Sequence, residues 1–150
     1  MSSTPFPFAI RHIDHLVLRV VDIDRMLAFY IDALGCTMEK LQDAIGLWQL
    51  RAGHSLIDLV TIDGKLGREG GRAPGVEGRN LDHLCLRIEP FDGERLIAHF
   101  RAQGIAVGEV VARYGAEGNG PSIYLSDPEG NVVELKGPTD REAIGDAAIT

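Results

Sequence analysis

The chain has little cysteine: Cys36 and Cys85 are the only two in 150 residues. Two isolated thiols cannot build a disulfide framework, and a reducing, cytoplasmic compartment is the expectation. Long apolar runs are missing too. The longest unbroken one is six residues, Met26 to Ile31, against the roughly 20 that a membrane-spanning helix needs. The first residues, Met1 to Pro7, have neither a basic start nor an apolar core, so no secretory signal is expected. Basic residues are also scarce, with 15 Lys and Arg against 22 Asp and Glu for a net charge of −7. That balance leaves no basic stripe for a nucleic acid. A small-molecule partner, with neither nucleic acid nor membrane, is what these absences leave. What is present is 45% hydrophobic and 25% charged residues, enough for one folded domain over 1–150.

The chain repeats itself once. Residues 13–20, IDHLVLRV, return as 81–88, LDHLCLRI, at an offset of 68 with five of eight positions identical. Each copy precedes a helix candidate. In the first, Asp22 or Asp24 caps a segment with Met26, Leu27, Tyr30, Ile31 and Leu34 at helical spacing, and Gly35 stops it. In the second, Asp92 caps a segment with Leu96, Ile97 and Phe100, and Gly104 stops it. Strands at 47–50 and 55–62 follow the first helix. Strands at 107–113, 122–125 and 132–136 follow the second, with a turn at Asp127-Pro128-Glu129-Gly130. The halves thus read as modules over about 11–63 and 80–138. A glycine-rich stretch, 64–79, joins them as a linker or a flap, and a peripheral tail, 139–150, follows.

Side chains alternate across a strand, so parity assigns faces. His15, Val17 and Arg19 share one face, as His83, Cys85 and Arg87 do in the repeat, while the intervening leucines pack under the helices. Asp58 and Glu134 each stand alone inside an apolar closing strand, where an unpaired charge is costly. Two imidazoles and two carboxylates at matched places suit a divalent transition metal with positions left open for substrate oxygens. Taken one by one, the same residues fit core hydrogen bonding or a solvated strand face equally well. Cys85 reads as a buried reduced thiol, and His12, His54 and His99 as surface or helix residues. Ser122, Tyr124 and Tyr114 are candidates to line a pocket, and no nucleophile–base pair is visible.

Four motifs carry a resemblance: Asp14-His15-Leu16-Val17-Leu18; Phe29-Tyr30 followed by Leu34-Gly35; Leu81-Asp82-His83; and Ser122-Ile123-Tyr124 leading to Asp127-Pro128-Glu129-Gly130-Asn131 and Glu134-Leu135. Over about 11–138 the chain resembles the vicinal oxygen chelate superfamily of glyoxalases, bleomycin-resistance proteins and dioxygenases. The resemblance implies an α+β fold of two βαβββ modules forming one cupped mixed β-sheet, with helices on the outer face. It implies one divalent ion (Ni, Zn, Co, Mn or Fe) on His15, Asp58, His83 and Glu134, and a homodimer. The likeness to glyoxalase I implies lyase or isomerase chemistry with Glu134 as the catalytic base. Arg19, Ser122 and Tyr124 then bind substrate, including a glutathione adduct. Asp58 stands where a glutamate is usual, and Ile62 near the place of a glutathione-binding asparagine. Three alternatives stay open: a fosfomycin-resistance-like epoxide-modifying enzyme, an Fe(II) dioxygenase using His15, His83 and Glu134, and a metal-free binding protein of the bleomycin-resistance type.

Overall fold

The alternation in each repeated segment makes a strand that buries one face. In the computed structural model, which describes residues 6–139, β1 is His15–Val20 and buries Leu18 and Val20. Asp22 caps the following helix, α1 (Ile23–Leu27), by accepting a bond from the Arg25 amide, the ordinary way to satisfy an orphan N–H of a first turn. The helix continues as a π-helical segment, Ala28–Ala33. Three strands complete the module: β2 (Thr37–Gln42), β3 (Leu47–Ala52) and β4 (Ser55–Thr61). The second module repeats the plan with β5 (His83–Arg87), α2 (Gly93–Ala102, capped by Asp92), β6 (Val111–Gly115), β7 (Gly118–Ser126) and β8 (Val132–Lys136).

The eight strands form two four-stranded mixed sheets, in the orders β1-β4-β3-β2 and β5-β8-β7-β6. The α+β class and the doubled βαβββ plan follow the sequence reading. The single sheet does not: the strands are divided, and the two histidine strands are edges of separate sheets. Each βαβ step brings its first strand parallel to its last, pairing Val17 with Asp58 and Cys85 with Glu134. The pseudo-symmetry therefore holds to the residue. β6 begins later than the strand expected at 107–113, with only a bridge from Val107 to Leu125 before it.

Both sheets bury their apolar faces in one cluster with the helices. It includes Met26, Phe29, Tyr30, Leu59, Phe100, Ile123 and Val133, and each fully buried side chain contributes about 1.5–3 kcal/mol relative to exposure. A polar tie joins the modules through this core. The Tyr30 hydroxyl donates to Asp127 Oδ2 at 2.9 Å. Asp127 also accepts from the Glu129 and Asn131 amides and from the Asn131 side chain, which fixes the turn between β7 and β8. Glu129 then reaches the other module, accepting from the amides of Val21 and Asp22 at 2.8–2.9 Å. Burial first, and the Asp127 charge after it, push the Tyr30 phenol far above its ordinary range, so it stays a donor.

The linker is pinned rather than loose. Its 3₁₀ turn, Gly67–Gly70, lies so close under the end of β4 that a Cβ on Gly67 would run into the Thr61 carbonyl. Near its other end Arg79 donates to the Glu129 carbonyl and the Asn131 side chain. The expected tail lies outside the described residues but for its first, Thr139. Among the described residues, no helix is long and apolar enough to cross a membrane.

The tie predicts a stability ranking in urea titrations. Tyr30→Phe strips one bond from a buried carboxylate and should cost about 1–3 kcal/mol. Asp127→Ala orphans several donors at once and should cost more. Losses below about 0.5 kcal/mol for both would show that packing alone joins the modules.

Candidate metal and substrate site

The repeated Asp-His pair explains itself in the structure. Asp14 Oδ1 lies 2.7 Å from His15 Nδ1, and Asp82 Oδ2 lies 2.7 Å from His83 Nδ1. A carboxylate only accepts, so each Nδ1 carries the proton and each Nε2 is turned outward. These acidic neighbours raise both imidazoles above their ordinary pKa, against the opposing effect of burial. The sequence reading gave Asp14 and Asp82 no role, although their identity in the repeat was the available signal.

Each histidine has a carboxylate on the neighbouring strand. His83 Nε2 lies 3.1 Å from Glu134 Oε2, and Glu134 Oε1 accepts from the Ser122 hydroxyl at 2.6 Å. Glu134 is 5% exposed. Burial, the largest single effect, raises its pKa. Bonds from Ser122, Tyr124 and Cys85 and the nearby His83 charge outweigh that and leave it below the usual carboxylate range. The Tyr124 ring stands edge-on to His83, with centroids 5.8 Å apart. His83, Glu134, Ser122 and Tyr124 are therefore brought together. In the first module Asp58 is 3% exposed, and its Oδ2 accepts from Gln49 at 3.3 Å. Its Oδ1 is buried without a hydrogen-bond partner.

The four candidate ligands thus form two matched pairs. Among the described residues, no three metal-binding side chains converge on one point, so one chain alone does not assemble the four-ligand set. Each pair nevertheless fits a cation. An orphaned buried carboxylate oxygen such as Asp58 Oδ1 is costly without a compensating charge. With Nδ1 protonated, His83 Nε2 and Glu134 Oε2 face each other as two acceptors, and a proton or a cation must stand between them. Their separation is about what two neighbouring ligands at roughly 2.1 Å from one ion would have.

Two expectations change. Arg19 was read as a substrate anchor, but its Nη atoms donate to the carbonyls of Gly67, Gly71 and Arg72 at 2.6–3.0 Å. The linker takes both Nη atoms while the buried Nε has no hydrogen-bond partner, and Gly70 of the linker packs too closely on the guanidinium to carry a side chain. Cys85 was read as buried; it is exposed, because its parity puts it on the functional face beside Glu134. Of the other histidines, His99 lies on α2 and pairs with the Ala33 carbonyl at 2.8 Å. Tyr114 is 82% exposed.

A doubled βαβββ plan with one His–carboxylate pair per module defines a class. The chain belongs to the Glyoxalase/Bleomycin resistance protein/Dioxygenase superfamily, which it matches over residues 12–135. It is 33% identical over 135 residues to the glyoxalase domain-containing protein RDO1 of Mycosarcoma maydis, covering 88% of this chain and 71% of that protein. It is 31% identical over 131 residues to the virulence protein STM3117 of Salmonella typhimurium, covering 84% and 83%. Among solved structures, an integron cassette protein from the mobile metagenome of V. cholerae aligns with a TM-score of 0.69 at 28% identity, covering 89% of this chain and all of that one. TnmS3, an antibiotic binding protein from Streptomyces sp. CB03234, aligns with a TM-score of 0.62 at 25% identity, covering 88% and 99%.

The geometry makes Cys85 a reporter of Glu134. Although the residue is exposed, partial desolvation of the thiol first, then the Glu134 charge, push it up from 9.0 to about 11, so at neutral pH it holds about a hundredfold less thiolate than an unperturbed one. Iodoacetamide should therefore modify it slowly, and Glu134→Gln should speed modification severalfold. Equal rates in both proteins would place the carboxylate away from the thiol.

Proposed function

We propose that the protein is a metal-dependent lyase or isomerase of the glyoxalase type, acting on a small substrate with two vicinal oxygens. The observation that carries the reading is the Glu134 carboxylate, buried and held by Ser122 beside His83. His15, Asp58, His83 and Glu134 would hold one divalent ion, from two half-sites. Because one chain does not bring the halves together, the proposal includes a homodimer in which the first-module half of one protomer meets the second-module half of its partner. When bound, the ion supplies Lewis-acid stabilisation for negative charge developing on a substrate oxygen.

The chain's own groups do the proton work. Ser122 occupies Oε1 of Glu134, so Oε2, which lies beside His83 Nε2, would take a proton from carbon next to a carbonyl on swinging away from that contact. The depressed pKa delivers that oxygen ionised at neutral pH. Tyr124, against His83, gives the substrate an aromatic wall. Glutathione adducts are one substrate class for this chemistry, and a smaller α-oxo or α-hydroxy compound is the other.

A second reading has its own observation. The likeness to an antibiotic binding protein, with a TM-score of 0.62 at 25% identity, supports a small-molecule binding module. Metal analysis of the purified protein separates the two. The catalytic reading expects about one divalent ion per chain, lost in His83→Ala. It also expects turnover of methylglyoxal–glutathione hemithioacetal or a smaller analogue. Oxygen uptake on catechols with Fe(II) would favour a dioxygenase instead. No metal and no turnover would leave the binding module.

Two variants test the base. Glu134→Gln should lower turnover by at least about a hundredfold, the usual weight of a general base. Ser122→Ala removes a bond that holds the Glu134 pKa down. The acid limb of the kcat/KM profile should therefore move to higher pH, with activity lost earlier as pH falls. A limb that stays in place would remove Glu134 from the profile.

A further inference from the structure

The functional face of the second module carries a cation that the chemistry above does not use. Lys136 follows Glu134 by two residues on β8, shares its face, and is 6% exposed. Its ammonium donates to the main-chain carbonyls of Arg113 and Gly120. Both acceptors are neutral, and the ion pairs among the described residues leave Lys136 without a carboxylate. An ammonium has three donors, so one N–H and the whole positive charge remain unmatched by contact. A buried charge on those terms is costly and calls for a counter-charge. The hairpin between β6 and β7 makes room for it: a Cβ on Gly115 would stand 2.8 Å from Lys136 Cε.

Lys136 lines a cavity of about 310 Å³ with Arg87, Tyr114 and Glu117, its wall shared with His83 and Glu134. Arg87 is the repeat partner of Arg19, but its surroundings differ. Where Arg19 is held by linker carbonyls, Arg87 gives only Nη1 to a carbonyl, that of Ile88 at 2.5 Å; its Nε bonds the Glu117 carboxylate at 2.5 Å, and Nη2 reaches Glu89 at 3.5 Å. Both acids are largely exposed side chains, 57% and 71%, which an incoming anion can replace. The first module has no counterpart: two residues after Asp58 stands Val60.

We infer that this cavity receives the oxyanion end of a small substrate, a carboxylate or a phosphoryl group, on Lys136 and Arg87, with Glu117 as the internal group it displaces. The inference rests on the proposed function only in taking the Glu134 face as the substrate face; it needs no metal. Arg87 supplies the fork that suits two oxyanion atoms, and Lys136 supplies the unmatched charge. Specificity then follows: a substrate must present an anion on the β5–β8 side of the reacting carbon.

The test is a calorimetric titration of chelator-treated protein with inorganic phosphate and, separately, with acetate. One of them should saturate at about one per chain, and which one does so tells a phosphoryl from a carboxylate ligand. Lys136→Met should weaken that binding at least about tenfold, and Glu117→Gln should tighten it about threefold or more by removing the competitor. Saturation by neither anion overturns the inference. So does a Lys136→Met protein of unchanged circular dichroism that binds within about twofold of the parent. If Lys136→Met does not fold, Glu117→Gln decides, and unchanged affinity there overturns the inference. Because no metal is present, an inactive or metal-free enzyme that still binds the anion would sink the proposed function and leave this site standing.

Discussion

The buried carboxylate of Asp127 is the constraint on which the arrangement depends. A polar acceptor inside a core has to be satisfied, and four donors do it: Tyr30 from the first module and the turn residues Glu129 and Asn131 from the second. Glu129, aimed by that turn, closes a second link to the start of α1. The apolar contacts beneath are non-directional and would tolerate sliding. The hydrogen bonds are directional and set one relation between the modules. The motif that looks like an active-site signature, Asp127-Pro128-Glu129-Gly130-Asn131, is thus largely a fastening. Its service to the site is indirect, because β8, which carries Glu134, starts at Val132, the residue after the last one bonded to Asp127.

Much of this was legible in sequence, for physical reasons that differ from residue to residue. Period-two alternation put His15 and His83 opposite the buried leucines of their strands, while Asp58 and Glu134 stood out as lone carboxylates in strands that are buried on both faces. Caps at Asp22 and Asp92 were legible because a helix needs a side-chain acceptor at its start. The division into two sheets was not, since strand patterns say nothing of which edges close on which. Arg19 shows a different limit. Its parity was right, yet its partners are carbonyls from a linker about 50 residues away, and no local pattern reports that. Cys85 was misplaced by weighing the thiol's usual burial above the parity that its neighbours His83 and Arg87 already gave.

The internal duplication keeps the charges and changes what surrounds them. Asp58 is held by an amide, Gln49, and leaves an oxygen bare; Glu134 is held by a hydroxyl, Ser122, and faces His83 directly. Arg19 is spent on linker carbonyls, while Arg87 meets two exposed acids and the carbonyl of Ile88. Val17 in one copy is Cys85 in the other. Shared ancestry of the halves would explain the common residue types; under the proposed function the differences would give the halves unequal work, with Asp58 a fixed ligand and the second half holding the groups that move a proton.

The Asp–His contacts bring these roles into competition. Asp14 and Asp82 would strengthen the imidazoles as ligands by holding the Nδ1 protons, and by the same charge they raise the affinity of the rings for a proton. His83 Nε2 and Glu134 Oε2 can therefore be satisfied in two ways, by a shared proton or by a cation, and not by both. Acid favours the proton; near-neutral pH and above favour the cation. A carboxylate that must release such a proton before it can accept one from substrate gains from the Ser122 bond, which lowers its basicity and keeps it ionised. The hydroxyl beside Glu134 is in that sense what allows one carboxylate to lie next to a basic imidazole and still remain free to act.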